Sequence, residues 1–269
     1  MNKIAILGPK NTYSDVCFQV YHHKTQHEPT PIYLRSMKQV IDQGESLGYA
    51  ILPIENTLEG YVQSHMDLLF FSNLHIDSEI KLEIQFDYIY KPNPKRIYVQ
   101  YVTKNQCLNF LENHLDETIV LTESNVESYE KYLNDPEGAA IVPRHLVKPI
   151  DLVIKGVSDE ADNHTRFLIL NNQPLGLKLY NKDEPYKVSI VITPKEDRPG
   201  LLHEILEGFG DAKINLISIM SRPTKKKMGT YHFFLEFMAD VSTQRIVETV
   251  LNELKHTFDI RVLGMYQIL

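Results

Sequence analysis

Lys3-Ile-Ala-Ile-Leu-Gly-Pro-Lys-Asn-Thr-Tyr-Ser14 decides the fold class. The apolar run Lys3 to Leu7 reads as a strand, Gly8-Pro9 breaks it, and Thr12 or Ser14 stands where the next helix needs a cap. The same order returns downstream. Ser36 is placed to cap a short helix through Ile41, and Tyr49-Ala-Ile-Leu-Pro53 reads as a strand. Ile54-Glu-Asn-Thr57 then leads toward a helix with Val62, Met66 and Leu69 at helical spacing. Strands alternating with helices imply an α/β lobe with a largely parallel sheet.

A second α/β lobe follows. Lys81 to Tyr90 and Arg96 to Thr103 read as extended, Gln106 to His114 and Ser124 to Leu133 as helical, and Ala139 to Val142 as a short buried strand. The strand Arg166-Phe-Leu-Ile-Leu170 returns the chain to the first lobe. The division expected is about 1–75 plus 155–180 for one lobe and about 76–154 for the other, with a ligand cleft between them. Pro174, Gly176 and Pro185 mark a boundary. Beyond it, 185–269 reads βαββαβ, a ferredoxin-like unit. Its elements are a strand Lys187 to Thr193, a helix begun by Pro199 with Leu202, Ile205, Leu206 and Phe209 on one side, and strands Leu216 to Ser221 and Tyr231 to Met238. A helix capped by Ser242 and carrying Ile246, Val250, Leu251 and Leu254, then a strand Ile260 to Ile268, complete it.

The composition sets limits. At 269 residues the chain exceeds a usual single domain of about 100–200 residues, and 43% hydrophobic with 23% charged residues is a globular balance. No apolar run approaches the roughly 20 residues that span a bilayer, and Met1 to Pro9 lacks a signal-peptide pattern, so a cytoplasmic protein is expected. Cys17 and Cys107 are too few and too far apart for a disulfide scaffold. A net charge of -7 gives no general reason to bind nucleic acid or acidic membranes, so an anionic ligand needs local groups. The basic run Lys225 to Lys227 precedes Met228-Gly229 and reads as a solvated hairpin loop. Metal-protease, paired-cysteine, dinucleotide and phosphate-loop motifs are absent, and His22, His23 and His27 lack a carboxylate-supported ligand pattern. No metal and no cofactor is expected.

Three segments carry candidate chemistry. Gly8 to Ser14 and Pro53 to Gly60 are both read as strand-to-helix junctions, where backbone N–H groups and the helix dipole suit a carboxylate. Thr12, Ser14, Asn56 and Thr57 add neutral donors, although capping alone also explains such residues. Asp159-Glu-Ala-Asp-Asn-His-Thr-Arg-Phe167 crowds polar groups ahead of a buried strand. Arg166 could clamp a carboxylate bidentately or pair with Asp159 or Asp162, and Thr165 could donate a hydrogen bond.

Taken together, Gly8-Pro9 with Thr12-Tyr-Ser14, Pro53-Ile-Glu-Asn56 with Glu59-Gly60, and Asn163 with Thr165-Arg-Phe167 resemble the prephenate dehydratase family in order and spacing. Gly200-Leu-Leu-His203 and Ser221-Arg-Pro223 resemble the two ligand motifs of its ACT domain. The resemblance covers essentially the whole chain. Its departures are Asn11, Asp15, Thr57 and Ser158, Met220 and Leu201 in the ACT motifs, and a missing Ser-His-Pro-Gln stretch ahead of Gln106-Cys107; Tyr98 to Thr103 is given no catalytic role.

The resemblance implies two lobes like a type II periplasmic binding protein followed by an ACT domain. It implies conversion of prephenate to phenylpyruvate, with Thr165, Arg166 and Phe167 as the catalytic motif and Thr12, Ser14, Asn56, Thr57, Glu59 and Asn163 around the substrate. It also implies inhibition by L-phenylalanine bound near Gly200, Leu201, Leu202, Asn215, Leu216, Ser221 and Arg222, between ACT domains of a homodimer or homotetramer. No chorismate mutase segment precedes Met1 to Pro9, so a monofunctional enzyme is expected. Arogenate dehydratase and a non-catalytic two-lobed sensor are the competing readings.

Overall fold

The fold is given by a computed structural model that describes residues 3–173, 177, 179–196, 198–225 and 228–269. The first lobe runs β1 (Lys3–Leu7), α1 (Tyr13–Thr25), β2 (Thr30–Leu34), α2 (Met37–Leu47), β3 (Gly48–Asn56), β4 (Gly60–Tyr61), α3 (Gln63–Phe71) and β5 (His75–Glu83). Ser36 caps α2 as expected, its hydroxyl accepting from the Gln39 N–H. The helix buries Met37, Val40, Ile41 and Gly44 at helical spacing, runs six residues past Ile41, and stops at Gly48, whose φ of 108° suits glycine.

The chain then crosses into β6 (Phe86–Tyr90), β7 (Arg96–Gln100), α4 (Tyr101–Asn105), α5 (Leu108–Leu111), β8 (Thr118–Thr122), α6 (Asn125–Asn134), β9 (Gly138–Pro143) and β10 (Leu152–Ile154). β11 (His164–Asn171) returns to the first sheet, whose order is β2-β1-β3-β11-β5 with β4 on β3; the second is ordered β10-β6-β9-β7-β8. β11 is therefore central and antiparallel to both neighbours.

Four features differ from the sequence expectation. β5 belongs to the first sheet, although the sequence division placed it in the second lobe. β2 and β8 went unread, because both are edge strands with no more than one buried residue each, and β2 carries Pro31. Tyr101 to Thr103 is helical, not extended. Pro53 to Gly60 does not run straight into a helix: β3 continues to Asn56, a turn leads to β4, and α3 starts only at Gln63. Pro174 and Gly176 lie outside the described residues.

The remaining segment comprises β12 (Tyr186–Thr193), α7 (Leu201–Asp211), β13 (Leu216–Pro223), β14 (Tyr231–Ala239), α8 (Gln244–Thr257) and β15 (Asp259–Tyr266). Its sheet order, β13-β14-β12-β15, is ferredoxin-like. One face packs Val188, Ile190, Ile192, Leu235 and Phe237 against the two helices. Leu201 and Val247 occupy that core, while Leu202 and Ile246, expected there, are exposed. Thr243, not Ser242, takes the cap position of α8.

The other face is not solvated. Val191, Phe234, Leu263 and Tyr266 share one core with Ile54, Met66, Phe70 and Leu74 of the first lobe. At Gly264 the two bodies come so close that a β-carbon would lie 2.5 Å from the Ile76 carbonyl oxygen and 2.8 Å from its Cβ. Gly264→Ala should therefore lower the stability of the full chain by about 1–3 kcal/mol in urea unfolding. Gly210→Ala, on α7 with no atom within 4 Å of the added carbon, should leave it unchanged or slightly raised.

Candidate active site

The cleft between the lobes holds two adjoining cavities of about 440 and 460 Å³, which share Tyr13, Gln100, Val102, Asn125 and Thr165. The junction of β1 with α1 supplies Thr12 and Ser14, as the sequence suggested. Thr12 has extended backbone and makes no side-chain cap; its hydroxyl donates instead to the Leu7 carbonyl at 3.2 Å. Asp15 takes over, accepting from the Asn11 N–H at 2.9 Å and from the Tyr33 hydroxyl at 2.6 Å.

The second lobe answers with the N-terminus of α6, where Ser124 caps by accepting from the Glu127 N–H. Two helix N-termini thus face one space from opposite sides, a favourable setting for an anion. The sequence reading placed the second of them at Pro53 to Gly60. The junction of β8 with α6 has the same signature, with Ser124 three residues before Glu127. Gln100, Thr103, Gln106 and Asn125 also line the cleft and were given no role. Thr103 Oγ1 donates to Asn125 Oδ1 at 2.8 Å, which ties α4 to α6.

Asn56 organises the first-lobe side. Its Oδ1 accepts from the N–H groups of Leu58 and Glu59, which bends the turn after β3. Its Nδ2 donates to Asn163 Oδ1 at 2.7 Å, the His164 carbonyl at 3.1 Å and Thr165 Oγ1 at 3.0 Å. Fully buried Asn163 passes the link on to Gln106 Oε1 at 2.9 Å, joining the lobes at the cleft floor. Thr57 is exposed and exchanges two hydrogen bonds with the His164 backbone, so it braces the loop and lines neither cavity. Glu59 is at the rim.

Thr165 and Phe167 line the cleft, one half-buried and one buried. Arg166 does not join them. Side chains alternate along a strand, and its guanidinium leaves by the opposite face of β11. There it meets Glu55 at 2.5 Å, Glu79 at 2.7 Å and Glu236 at 2.9 Å, with Lys187 on Glu79 at 2.7 Å. Neither a substrate clamp nor pairing with Asp159 or Asp162 describes it. Asp159 instead accepts from the N–H groups of Leu108 and Asn109, and Asp162 pairs with His164. Burial alone would lower the Arg166 pKa, but hydrogen bonds to Glu79 and the charge of Glu236 hold it well above its usual value. Glu236, which burial would push up, is held below the usual carboxylate range by Arg166, with help from Lys187 and Tyr61.

On the ACT-like sheet, Gly200 has a φ of 82° at the start of α7. Exposed Ser221 is level with Ile192 at one end of the sheet, whereas Leu216 is level with Val188 near the other, with Asn215 just before it. Arg222 turns to the first lobe and forks onto Asp67, with both contacts at 3.0 Å. Lys225, read as a solvated loop residue, also reaches Asp67 at 2.6 Å; Lys226 and Lys227 lie outside the described residues.

Residues 4–175 match a family model described as prephenate dehydratase, and residues 195–255 match one described as ACT domain. Over its full length the chain is 30% identical to a prephenate dehydratase of Methanocaldococcus jannaschii, of which it covers 99%. It is similar to the crystal structure of the Staphylococcus aureus prephenate dehydratase, with 26% identity, a TM-score of 0.79, and 98% and 99% of the two chains covered. A prephenate dehydratase from Arthrobacter aurescens in complex with L-Phe gives 27% identity and a TM-score of 0.83, over 98% of this chain and 90% of that one. Among the described residues no helix is long and apolar enough to cross a membrane.

Arg166→Gln should cost about 3–5 kcal/mol, because Glu55, Glu79 and Glu236 lose their shared cation. The pH dependence should also invert. In the parent, the lowered pKa of Glu236 contributes stability above the unfolded carboxylate pKa that is lost as pH falls through the lower folded value. In the variant, buried carboxylates without that cation have raised pKa values, so it should gain stability from pH 7 to pH 5, as urea titrations at both pH values would record.

Proposed function

The chain belongs to the prephenate dehydratase family, and from that premise we propose that its cleft binds prephenate and releases phenylpyruvate, carbon dioxide and water. The reaction asks little of ionisable groups. Cleavage of the ring carboxylate supplies the electron pair that makes the ring aromatic, and the ring hydroxyl departs. The protein has to hold two carboxylates, donate to the departing oxygen and exclude water. The facing N-termini of α1 and α6 suit the first task, and closure of one lobe on the other suits the third.

One observation carries the second. Asn56 Nδ2 donates into Thr165 Oγ1, so the threonine's own hydrogen is free to point into the cleft. Thr165 is thus a positioned donor for the leaving hydroxyl, and Phe167 beside it supplies an apolar wall. Asn56 and Asn163 hold this arrangement from behind, and Thr12, Ser14 and Glu59 line the substrate's surroundings.

We further infer feedback by L-phenylalanine at an interface between two ACT-like sheets. β13 is an open edge with Ile217 and Ile219 exposed. Antiparallel pairing of two such edges sets the Asn215–Leu216 end of one copy beside Ser221 of the other, on the side where Gly200, Leu201 and Leu202 begin α7. Met220, which offers no charge, and bulky Leu201 favour weaker binding than the family pattern would give. Arg222, engaged with Asp67, links this edge to α3. Phenylalanine inhibits if it binds better to a closed, less active arrangement of the lobes.

Purified full chain should release phenylpyruvate from prephenate, and arogenate assayed alongside tells which substrate it prefers. Thr165→Ala should lower kcat by about 100-fold or more with little change in KM; near-normal turnover of the folded variant removes Thr165 from the role. Ile219→Lys should shift sedimentation toward the monomer and weaken inhibition by phenylalanine. Retention of both would place the contact elsewhere.

A further inference from the structure

The proposed substrate carries two negative charges, yet no Lys or Arg is among the described residues lining the two cavities. Arg166 is turned away and shared by three carboxylates. One base does line the cleft. His65, in the first turn of α3, shares the 440 Å³ cavity with Thr165, Phe167 and the N-termini of α1 and α6. Its Nδ1 lies 2.6 Å from the Pro53 carbonyl oxygen. A carbonyl only accepts, so Nδ1 carries a hydrogen, and in the neutral ring Nε2 keeps its lone pair. Nε2 makes no hydrogen bond among the described residues and the ring is half-buried, so this nitrogen is available to a ligand.

Resting on the dehydratase reading, we propose that His65 is a substrate-binding residue: Nε2 takes up a proton as the dianion enters, and the imidazolium pairs with one of its carboxylates. Burial favours the neutral ring in the empty cleft, with the Pro53 bond opposing it. An incoming carboxylate reverses that preference. The bond to Pro53, on β3, fixes the ring so that proton uptake changes its charge and leaves its place unchanged.

The other titratable groups around it do not supply this charge. Tyr13 of α1 is held at the Gln85 backbone, and burial pushes its pKa up. Glu123, before α6, lines the same cavity with a carboxyl group, which cannot carry positive charge, while Glu59 and Tyr61 line the adjoining one. On α3 itself, Asp67 is engaged by Arg222 and Lys225. Glu55 of β3 is engaged by Arg166 on the opposite face of the sheet.

The test is a pH series of prephenate kinetics on the full chain, from pH 5.5 to 9, for the parent, His65→Gln, His65→Lys and Glu123→Gln. In the parent, kcat/KM should fall as pH rises through neutrality, by up to about tenfold per unit. Across the same range kcat should change little, because the proton is needed to bind the substrate and not to turn it over, so the limb is carried by KM. His65→Gln should raise KM at pH 6 by about 10- to 100-fold with kcat little changed, and should abolish the limb. His65→Lys, charged throughout the range, should recover part of the lost KM and remove the fall near neutrality. Unchanged KM and pH profile in His65→Gln overturns the inference while the dehydratase reading stands, and so does a limb that survives His65→Gln but disappears in Glu123→Gln. Absence of turnover of prephenate and of arogenate by the parent overturns both.

Discussion

Three carboxylates converge on one guanidinium at the back of β11: Glu55 and Glu79 from the catalytic lobe, and Glu236 from the ACT-like sheet. Lys187 offsets part of the excess negative charge, and Ser189 and the hydroxyls of Tyr61 and Tyr266 bond to Glu236. Such a cluster stands only with its members present, because removing a partner strands a buried charge. It also fixes register. A slip of one residue along β11 would carry Arg166 into the cleft and Thr165 into the interface, exchanging the charge that joins the two bodies for the hydroxyl that lines the cleft. One backbone step therefore separates the ACT-like sheet's main ionic contact from the proposed donor Thr165, a short path between the ACT-like sheet and the cleft.

The cleft depends on closure in a related way. The helix N-termini that face the cleft come from different lobes, and so do the groups that span it. His145 meets the Asn11 carbonyl at 2.9 Å, and Asn163 meets Gln106. Neither lobe alone presents two favourable dipole ends to one ligand. Affinity for a dianion is thus tied to how the lobes approach, and a domain that leans on the first lobe can alter it without touching the ligand.

Much of this was legible where local pattern and burial agree. The β1–α1 junction, the capped start of α2, the buried run of β9 and the βαββαβ order all follow from apolar spacing and cap residues. Asn56, Asn163 and Thr165 were legible as polar residues bordering a buried strand, and the structure joins them through one amide. The direction of Arg166 was not legible. Local sequence offers Asp159 and Asp162 as partners, whereas its actual partners lie 70 to 111 positions away. The burial of Lys187, Ser189 and Glu236 was not legible for the same reason, since polar residues alternating along a strand look solvent-facing until a second body covers them. His65 gave no signal, because a lone histidine in a helix acquires meaning only when the Pro53 carbonyl fixes its ring.

The strand β5 brings one consequence for how the molecule comes into being. Glu79, buried within it, is answered by Arg166 and Lys187, and its backbone pairs with Gln267 and Leu269. Synthesis proceeds from the amino end, so this carboxylate is made long before most of the groups that satisfy it. Until they emerge, Glu79 has to stay hydrated, and β5 cannot settle at the edge of its sheet without a buried, incompletely compensated charge. The first lobe therefore completes itself late, on material from the far end of the sequence. A shortened chain ending near Tyr180 would retain Arg166 but expose the apolar face formed by Ile54, Met66, Phe70 and Leu74, making it an aggregation-prone fragment rather than an unregulated enzyme.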